Sequence, residues 1–227
     1  MRITLTKFGW PQVVLLPAAI LCAMALLLRA GPLVMPAWAV GIMEAGMGAL
    51  LIFTLAFFRD PQRDIRHVEN ALLAPADGTV TGVELVEEND FIGGTALRVT
   101  IFLNIFNVHI NRAPCDSTVS KITYKPGRFK NAINPESARV NESNDLWLVR
   151  KDYPEDKLIL RQISGAVARR IVCVAAEGQD LASGEKFGMI KFGSGTELYV
   201  AVRKNARCLV KTGDKVKAGL SPIVRYE

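Results

Sequence analysis

The 227-residue sequence predicts a mostly β domain carried on an N-terminal membrane helical hairpin. Two long apolar stretches open the chain, short strand-like runs separated by turn signals fill the remainder, and helical periodicity of ten or more residues is nearly absent after Leu72. Residues 1–60 are therefore expected to anchor and residues 61–227 to form the working domain.

The first apolar stretch, Phe8 to Leu28, contains no charge and is long enough as a helix to cross about 30 Å of hydrocarbon. The second runs from Leu33 to Phe58 and is interrupted only by Glu44, which is costly in lipid and must face a partner helix, water or the interface. A cleaved signal peptide has an apolar run of about 7–15 residues, and here a longer run is followed at once by another, so a hairpin is preferred. The connection Arg29 to Pro32 carries one basic residue, whereas Arg2 and Lys7 flank one end and Arg59, Arg63 and Arg66 the other; both ends read as cytoplasmic, at a cell membrane. Trp10 and Trp38 suit interfacial anchors.

Setting aside Arg2, Lys7 and Arg29 from the 28 basic residues and Glu44 from the 22 acidic ones leaves 25 against 21. Such a mildly basic domain suits an anionic leaflet, and the absence of an arginine-rich run interleaved with aromatics argues against nucleic acid. Cys22, Cys115, Cys173 and Cys208 are widely spaced and form no C-x-x-C pair, and His67 and His109 are the only histidines; neither a disulfide framework nor a zinc site is expected, and a reducing compartment fits.

Strands are expected at Thr79–Val83, Ala96–Leu103, Ser117–Tyr124, Leu146–Val149, Lys157–Ile163, Ala166–Ala175 and Glu197–Arg203, with a long polar loop from Lys125 to Asp145. The segments Ala74-Pro75-Ala76-Asp77-Gly78-Thr79-Val80 and Gly213-Asp214-Lys215-Val216-Lys217-Ala218-Gly219 resemble turns of the barrel-sandwich fold of biotinyl and lipoyl carrier domains. The length between them is too great for a carrier's lysine-bearing hairpin, so a barrel-sandwich-like domain is expected without the carrier's function.

Chemistry concentrates at Phe192-Gly193-Ser194-Gly195-Thr196, where a serine lies between glycines after an apolar run and before a strand. Taken alone this is turn chemistry. A serine nucleophile needs a base, commonly a histidine held by a carboxylate. His67 lies in a polar linker and reads as solvated, so if any histidine is catalytic it is His109, although a lone histidine near a strand is more often structural; Asp77, in an Asp-Gly turn, reads either as ordinary turn chemistry or as a carboxylate to orient it. Position 192 is Phe, so the G-x-S-x-G elbow of hydrolases is absent, and the pair Gly93-Gly94 makes no nucleotide fingerprint.

Several segments together resemble the short form of phosphatidylserine decarboxylase proenzymes: Phe8–Pro11, the hairpin, Phe57-Phe58-Arg59-Asp60-Pro61-Gln62-Arg63, Ala74-Pro75-Ala76-Asp77-Gly78, Phe106-Asn107-Val108-His109-Ile110-Asn111-Arg112-Ala113-Pro114 and Phe192-Gly193-Ser194. The resemblance implies self-cleavage between Gly193 and Ser194, a covalent pyruvoyl cofactor derived from Ser194, no metal, and His109 and Asp77 as base and orienting partner. It further implies decarboxylation of phosphatidylserine to phosphatidylethanolamine through a Schiff base, with fragments 1–193 and 194–227 staying associated; a homo-oligomer is compatible.

Three departures stand out. Gly195 replaces a frequent basic residue, Phe106 occupies the position of a second histidine in long-form members, and Ala138–Asn144 matches the family's asparagine- and glutamate-rich loop only loosely. Arg112, Arg128 and Lys130 are the candidates for headgroup contact. The alternatives are a decarboxylase of a related serine phospholipid and a non-catalytic, membrane-tethered barrel-sandwich binding module, which would leave the chain intact.

Overall fold

The computed structural model describes residues 3–65, 68, 70–128, 140–165, 170–191, 194–203 and 205–226, and the chain divides into two compact units, Met1–Gln62 and Arg63–Glu227.

In the first unit, strand β1 (Ile3–Leu5) pairs antiparallel with β2 (Arg59–Pro61) and so joins the two ends of a helical hairpin. Between them, a 3-10 turn at Lys7–Gly9 leads into helix α1 (Gln12–Val34), and helix α2 (Ala37–Phe57) follows. The 23 residues of α1 span about 34 Å at 1.5 Å per residue, enough to cross a bilayer's hydrocarbon core. Their best windows have mean hydropathies of 2.4 and 1.9 and remain almost entirely exposed, so both helices are apolar all round with little protein to bury against. Gly31 is where they approach closely, since a Cβ there would press on Val40.

The second unit is built from fourteen described strands: β3 (Ala71–Leu73), β4 (Gly78–Glu88), β5 (Gly94–Leu103), β6 (Ile110–Arg112), β7 (Ser117–Lys125), β8 (Ser143–Arg150), β9 (Lys157–Ser164), β10 (Arg170–Cys173), β11 (Asp180–Leu181), β12 (Lys186–Lys191), β13 (Ser194–Ala201), β14 (Ala206–Cys208), β15 (Lys215–Val216) and β16 (Pro222–Tyr226). Eight of them form an antiparallel sheet in the order β11-β7-β8-β9-β13-β5-β4-β15, curled into a half-barrel. Two three-stranded sheets, β10-β12-β6 and β14-β16-β3, complete the unit. Val80, Val99, Ile101, Leu146, Leu148, Leu158, Leu160, Leu198 and Val200 belong to one buried cluster, each on alternate positions of its strand, so one sheet face forms the core.

All seven expected runs contain a strand, but the polar loop is shorter than expected. Lys125 belongs to β7 and Ser143 to β8, and the two pair directly; Asn144, a turn former by composition, is buried in the ladder instead. Residues 129–139 lie outside the described ones, as do 166–169 of the sixth run. The two segments with barrel-sandwich character pair with each other, Thr79 with Lys215 and Gly78 with Val216, and Gly219 N donates to Ala74 O at 2.8 Å. Gly93, at φ 81°, occupies the β4–β5 hairpin rather than a nucleotide loop.

Candidate active site

Three neighbouring strands change character at one level of the core face. Read toward one end, β13 presents Val200, Leu198, Thr196 and Ser194; β9 presents Leu158, Leu160, Gln162 and Ser164; β8 presents Leu148, Leu146 and Asn144, all buried. The register aligns Thr196 and Asn144 with Gln162 and places Ser194 opposite Ser164. A buried polar layer is tolerated only where its groups find partners. Asn144 Nδ2 donates to Gln162 Oε1 at 3.1 Å, Gln162 Nε2 to Asn111 Oδ1 at 2.9 Å, and Asn111 Nδ2 to Thr196 Oγ1 at 3.1 Å.

Asn111 brings strand β6 onto this layer, and His109 immediately precedes that strand. The direction along the layer follows from β12. It pairs antiparallel with β6, Ile190 N donates to His109 O at 3.2 Å, and only two residues separate Lys191 from Ser194. His109 therefore lies at the Ser194 end of the layer.

The imidazole is fully buried, with Nδ1 3.0 Å from Asn107 O. A carbonyl can only accept, so Nδ1 carries the proton in this contact and the lone pair is on Nε2. The Ser194 hydroxyl is buried and has no hydrogen-bond partner among the described residues, a state that costs about 1–3 kcal/mol and asks for an explanation.

Asp77 has a different partner from the one expected. Arg63 Nη1 and Nη2 donate to its two carboxylate oxygens at 2.6 and 2.7 Å, and Ala218 N donates to Oδ1 at 2.8 Å; none of these bonds goes to His109. A bidentate guanidinium outcompetes a neutral imidazole for a carboxylate. The segment carrying Asp77 still lies beside the histidine's strand, because Arg112 N donates to Pro75 O at 2.9 Å. The pair is nearly dry, with side-chain exposures of 4% and 11%. Breaking a buried pair from one side costs about 3–5 kcal/mol, so Arg63→Met is expected to lower the Tm of the full chain on the order of 10 °C in a thermal scan. An unchanged Tm would mean that Asp77 finds equal compensation elsewhere.

A model of the phosphatidylserine decarboxylase family matches residues 50–224, a span that includes Asp77, His109 and Ser194. The chain belongs to the phosphatidylserine decarboxylase family. Among its relatives, the phosphatidylserine decarboxylase proenzyme of Symbiobacterium thermophilum is 39% identical over 224 residues, 99% of this chain and 96% of that one. The proenzyme of Nitrosomonas europaea is 37% identical over 223 residues, covering 98% and 95%, and that of Desulfotalea psychrophila 42% over 167 residues, covering 74% and 76%.

Other expected contacts of this decarboxylase-family chain are distributed differently. Arg112 is buried with Nη1 donating to Gly184 O at 2.8 Å, Arg128 is exposed, and Lys130, His67 and Gly193 lie outside the described residues. Phe106 is 71% exposed. At Gly195 a Cβ would meet nothing nearer than 3.8 Å, so the missing basic side chain is not a matter of immediate space. The loosely matched loop ends against the site: Asn141 Nδ2 donates to Ser164 O at 2.8 Å and Glu142 O accepts from Ser164 N at 3.0 Å. A cationic pair that the sequence did not single out, Arg170 opposite Lys191, immediately precedes the segment leading to Ser194. Burial, and then the charge of Arg170, hold the Lys191 ammonium below the usual lysine range.

Proposed function

We propose that this chain is a proenzyme that cuts itself between Gly193 and Ser194 and then decarboxylates phosphatidylserine to phosphatidylethanolamine at the cytoplasmic face of a membrane. The observation that carries the reading is the buried, unpartnered Ser194 hydroxyl at the His109 end of a polar layer, in a chain of this family. Ser194 Oγ gives its proton to His109 Nε2 and attacks the Gly193 carbonyl; the peptide C–N bond breaks, the nitrogen takes a proton, and an ester results. A base then removes the Ser194 Cα proton, Cβ–Oγ breaks, Oγ leaves as a carboxylate oxygen of Gly193, and water replaces the nitrogen as ammonia.

Residue 194 fits the resulting pyruvoyl group, because its side chain already occupies a buried pocket without a hydrogen bond that the conversion would forfeit. That group supplies a ketone for the substrate's amine and an adjacent carbonyl to receive electrons as carbon dioxide leaves, chemistry no ordinary side chain offers. Asn107 O orients His109, while Asp77, locked to Arg63, steadies the segment packed beside it. Strand β13 sits between β5 and β9, and β15 and β16 pair with β4 and β3, which favours the small fragment remaining bound after cleavage. The hairpin would tether the chain to the membrane in which its substrate is concentrated.

Denatured mass measurement of the purified chain tests this reading. Fragments 1–193 and a pyruvoyl-blocked 194–227, with phosphatidylethanolamine formed from phosphatidylserine vesicles, are expected; an intact folded chain would instead support the binding-module alternative.

Lys191 and Arg170 supply positive charge for the substrate's phosphate or carboxylate. Lys191→Met is expected to raise KM roughly 10- to 100-fold with kcat nearly unchanged, the range for losing a charged hydrogen bond. An ammonium with a lowered pKa is charged below that value and neutral above it, so wild-type KM should climb as pH rises toward it from below, earlier than for an ordinary lysine. Lys191→Arg should abolish that climb. A flat wild-type KM profile would remove Lys191 from substrate binding.

A further inference from the structure

Ser164 lies directly opposite Ser194 across the β9–β13 ladder. It is completely buried, and its hydroxyl has no hydrogen-bond partner among the described residues. The kind of cross-strand pair can be worked out from the backbone. Ser164 N donates to Glu142 O and Ser164 O accepts from Asn141 Nδ2, so both of its main-chain groups point away from β13. Ser164 and Ser194 are thus a non-hydrogen-bonded pair, the kind in which Cα atoms come within about 4.5 Å and side chains stand closest. Both side chains project from the core face, where the polar layer ends.

Two facing hydroxyls, both buried and both unpartnered, are unusual because each forfeits its solvation without compensation. A change of χ1 on either serine suffices to direct one toward the other's position. Resting on the self-cleavage proposed above, we infer that Ser164 is a hydrogen-bond donor to Ser194 Oγ as that oxygen leaves. When Cβ–Oγ of the ester breaks, the bonding pair moves onto Oγ, which becomes part of the Gly193 carboxylate, while the Cα proton passes to the base. Negative charge thus develops on an atom beside Ser164 and away from water, where a fixed donor is most effective. The carboxyl product needs the donor more than the starting hydroxyl does, which explains why the group stands idle before reaction.

The test follows formation of residue 194's new end group, independently of phospholipid turnover. Wild type, Ser164→Ala, and the isosteric pair Ser164→Thr and Ser164→Val are allowed to mature, denatured at intervals, treated with hydroxylamine and weighed. Hydroxylamine opens the ester and releases a fragment that begins with serine; it also converts the pyruvoyl ketone to its oxime with loss of water, so in the treated samples the serine-led fragment is two hydrogens heavier than the blocked one. Ser164→Ala and Ser164→Val are expected to accumulate the serine-led fragment, with conversion to the blocked one slowed about 100-fold, as for loss of one donor to a developing oxyanion. Ser164→Thr should convert near the wild-type rate. Comparable conversion in Thr and Val variants would overturn the inference, and it remains decisive even if the Ala variant loses its folded melting transition. Wild-type protein that stays intact would sink the self-cleavage reading itself, whereas cleaving wild type with normal Val conversion would sink only the role of Ser164.

Discussion

Ser194→Ala is expected to run as a single chain of about 24.9 kDa under denaturing conditions, to fold as the wild type does, and to form no detectable phosphatidylethanolamine. The substitution removes one oxygen, and that oxygen is at once the nucleophile for cleavage and the atom whose departure would create the ketone. No other group can substitute for it, not even the unpartnered Ser164 hydroxyl opposite, because the ketone forms at residue 194 only when that residue's own Cβ–Oγ bond breaks. The same argument fixes the stability result. Ser194 Oγ has no hydrogen bond among the described residues, so its removal loses only slight packing and relieves an unsatisfied buried group. Stability is therefore expected to hold or rise modestly while activity vanishes. Cleavage or turnover in the alanine chain, freed of wild-type contamination, would take the serine out of the reaction. A large fall in Tm would show instead that the hydroxyl is structural.

The sequence announced the periodic elements and hid the pairings. Alternating apolar residues such as Leu158 and Leu160, or Leu198 and Val200, make β9 and β13 recognisable, since a half-buried strand leaves that imprint locally. Thr196 and Gln162 break the pattern, and from sequence each reads as an ordinary polar residue. Only the register shows that both breaks fall at one level beneath Asn111. Asn111 was within reach, because it lies two positions from His109, in the strand that the histidine leads into. Ser164 was not, for nothing local distinguishes a strand-ending serine whose significance comes from the residue opposite.

Arg63 illustrates the other limit. Its charge was legible as part of the basic flank of a hairpin, yet its guanidinium is spent on Asp77, fourteen positions away and deep in the second unit. A carboxylate's partner is decided by which cation the fold can desolvate with it, and that competition has no signature in a single sequence. The expected carboxylate–imidazole contact is accordingly replaced by a backbone contact, Asn107 O with His109 Nδ1. A carbonyl orients the ring by accepting from Nδ1 and, unlike a carboxylate, adds no charge beside it.

That arrangement makes His109→Ala the second decisive variant. A serine hydroxyl is a poor nucleophile while it keeps its proton, and a positioned base typically contributes about 10²–10⁴-fold. Cleavage of His109→Ala should slow by that factor, so that purified protein is mostly intact while the wild type is fully cut. His109→Gln separates position from basicity: its amide can replace the hydrogen bond to Asn107 O but cannot take a proton at the other end, and it should be as slow as alanine. Time courses of denatured mass at fixed pH measure both, and added imidazole, small enough to enter the space left by the alanine variant, should recover part of the rate. If instead the glutamine variant cleaves normally, the ring's contribution is its shape and its bond to Asn107, and the proton on Ser194 must travel by a route that does not pass through residue 109.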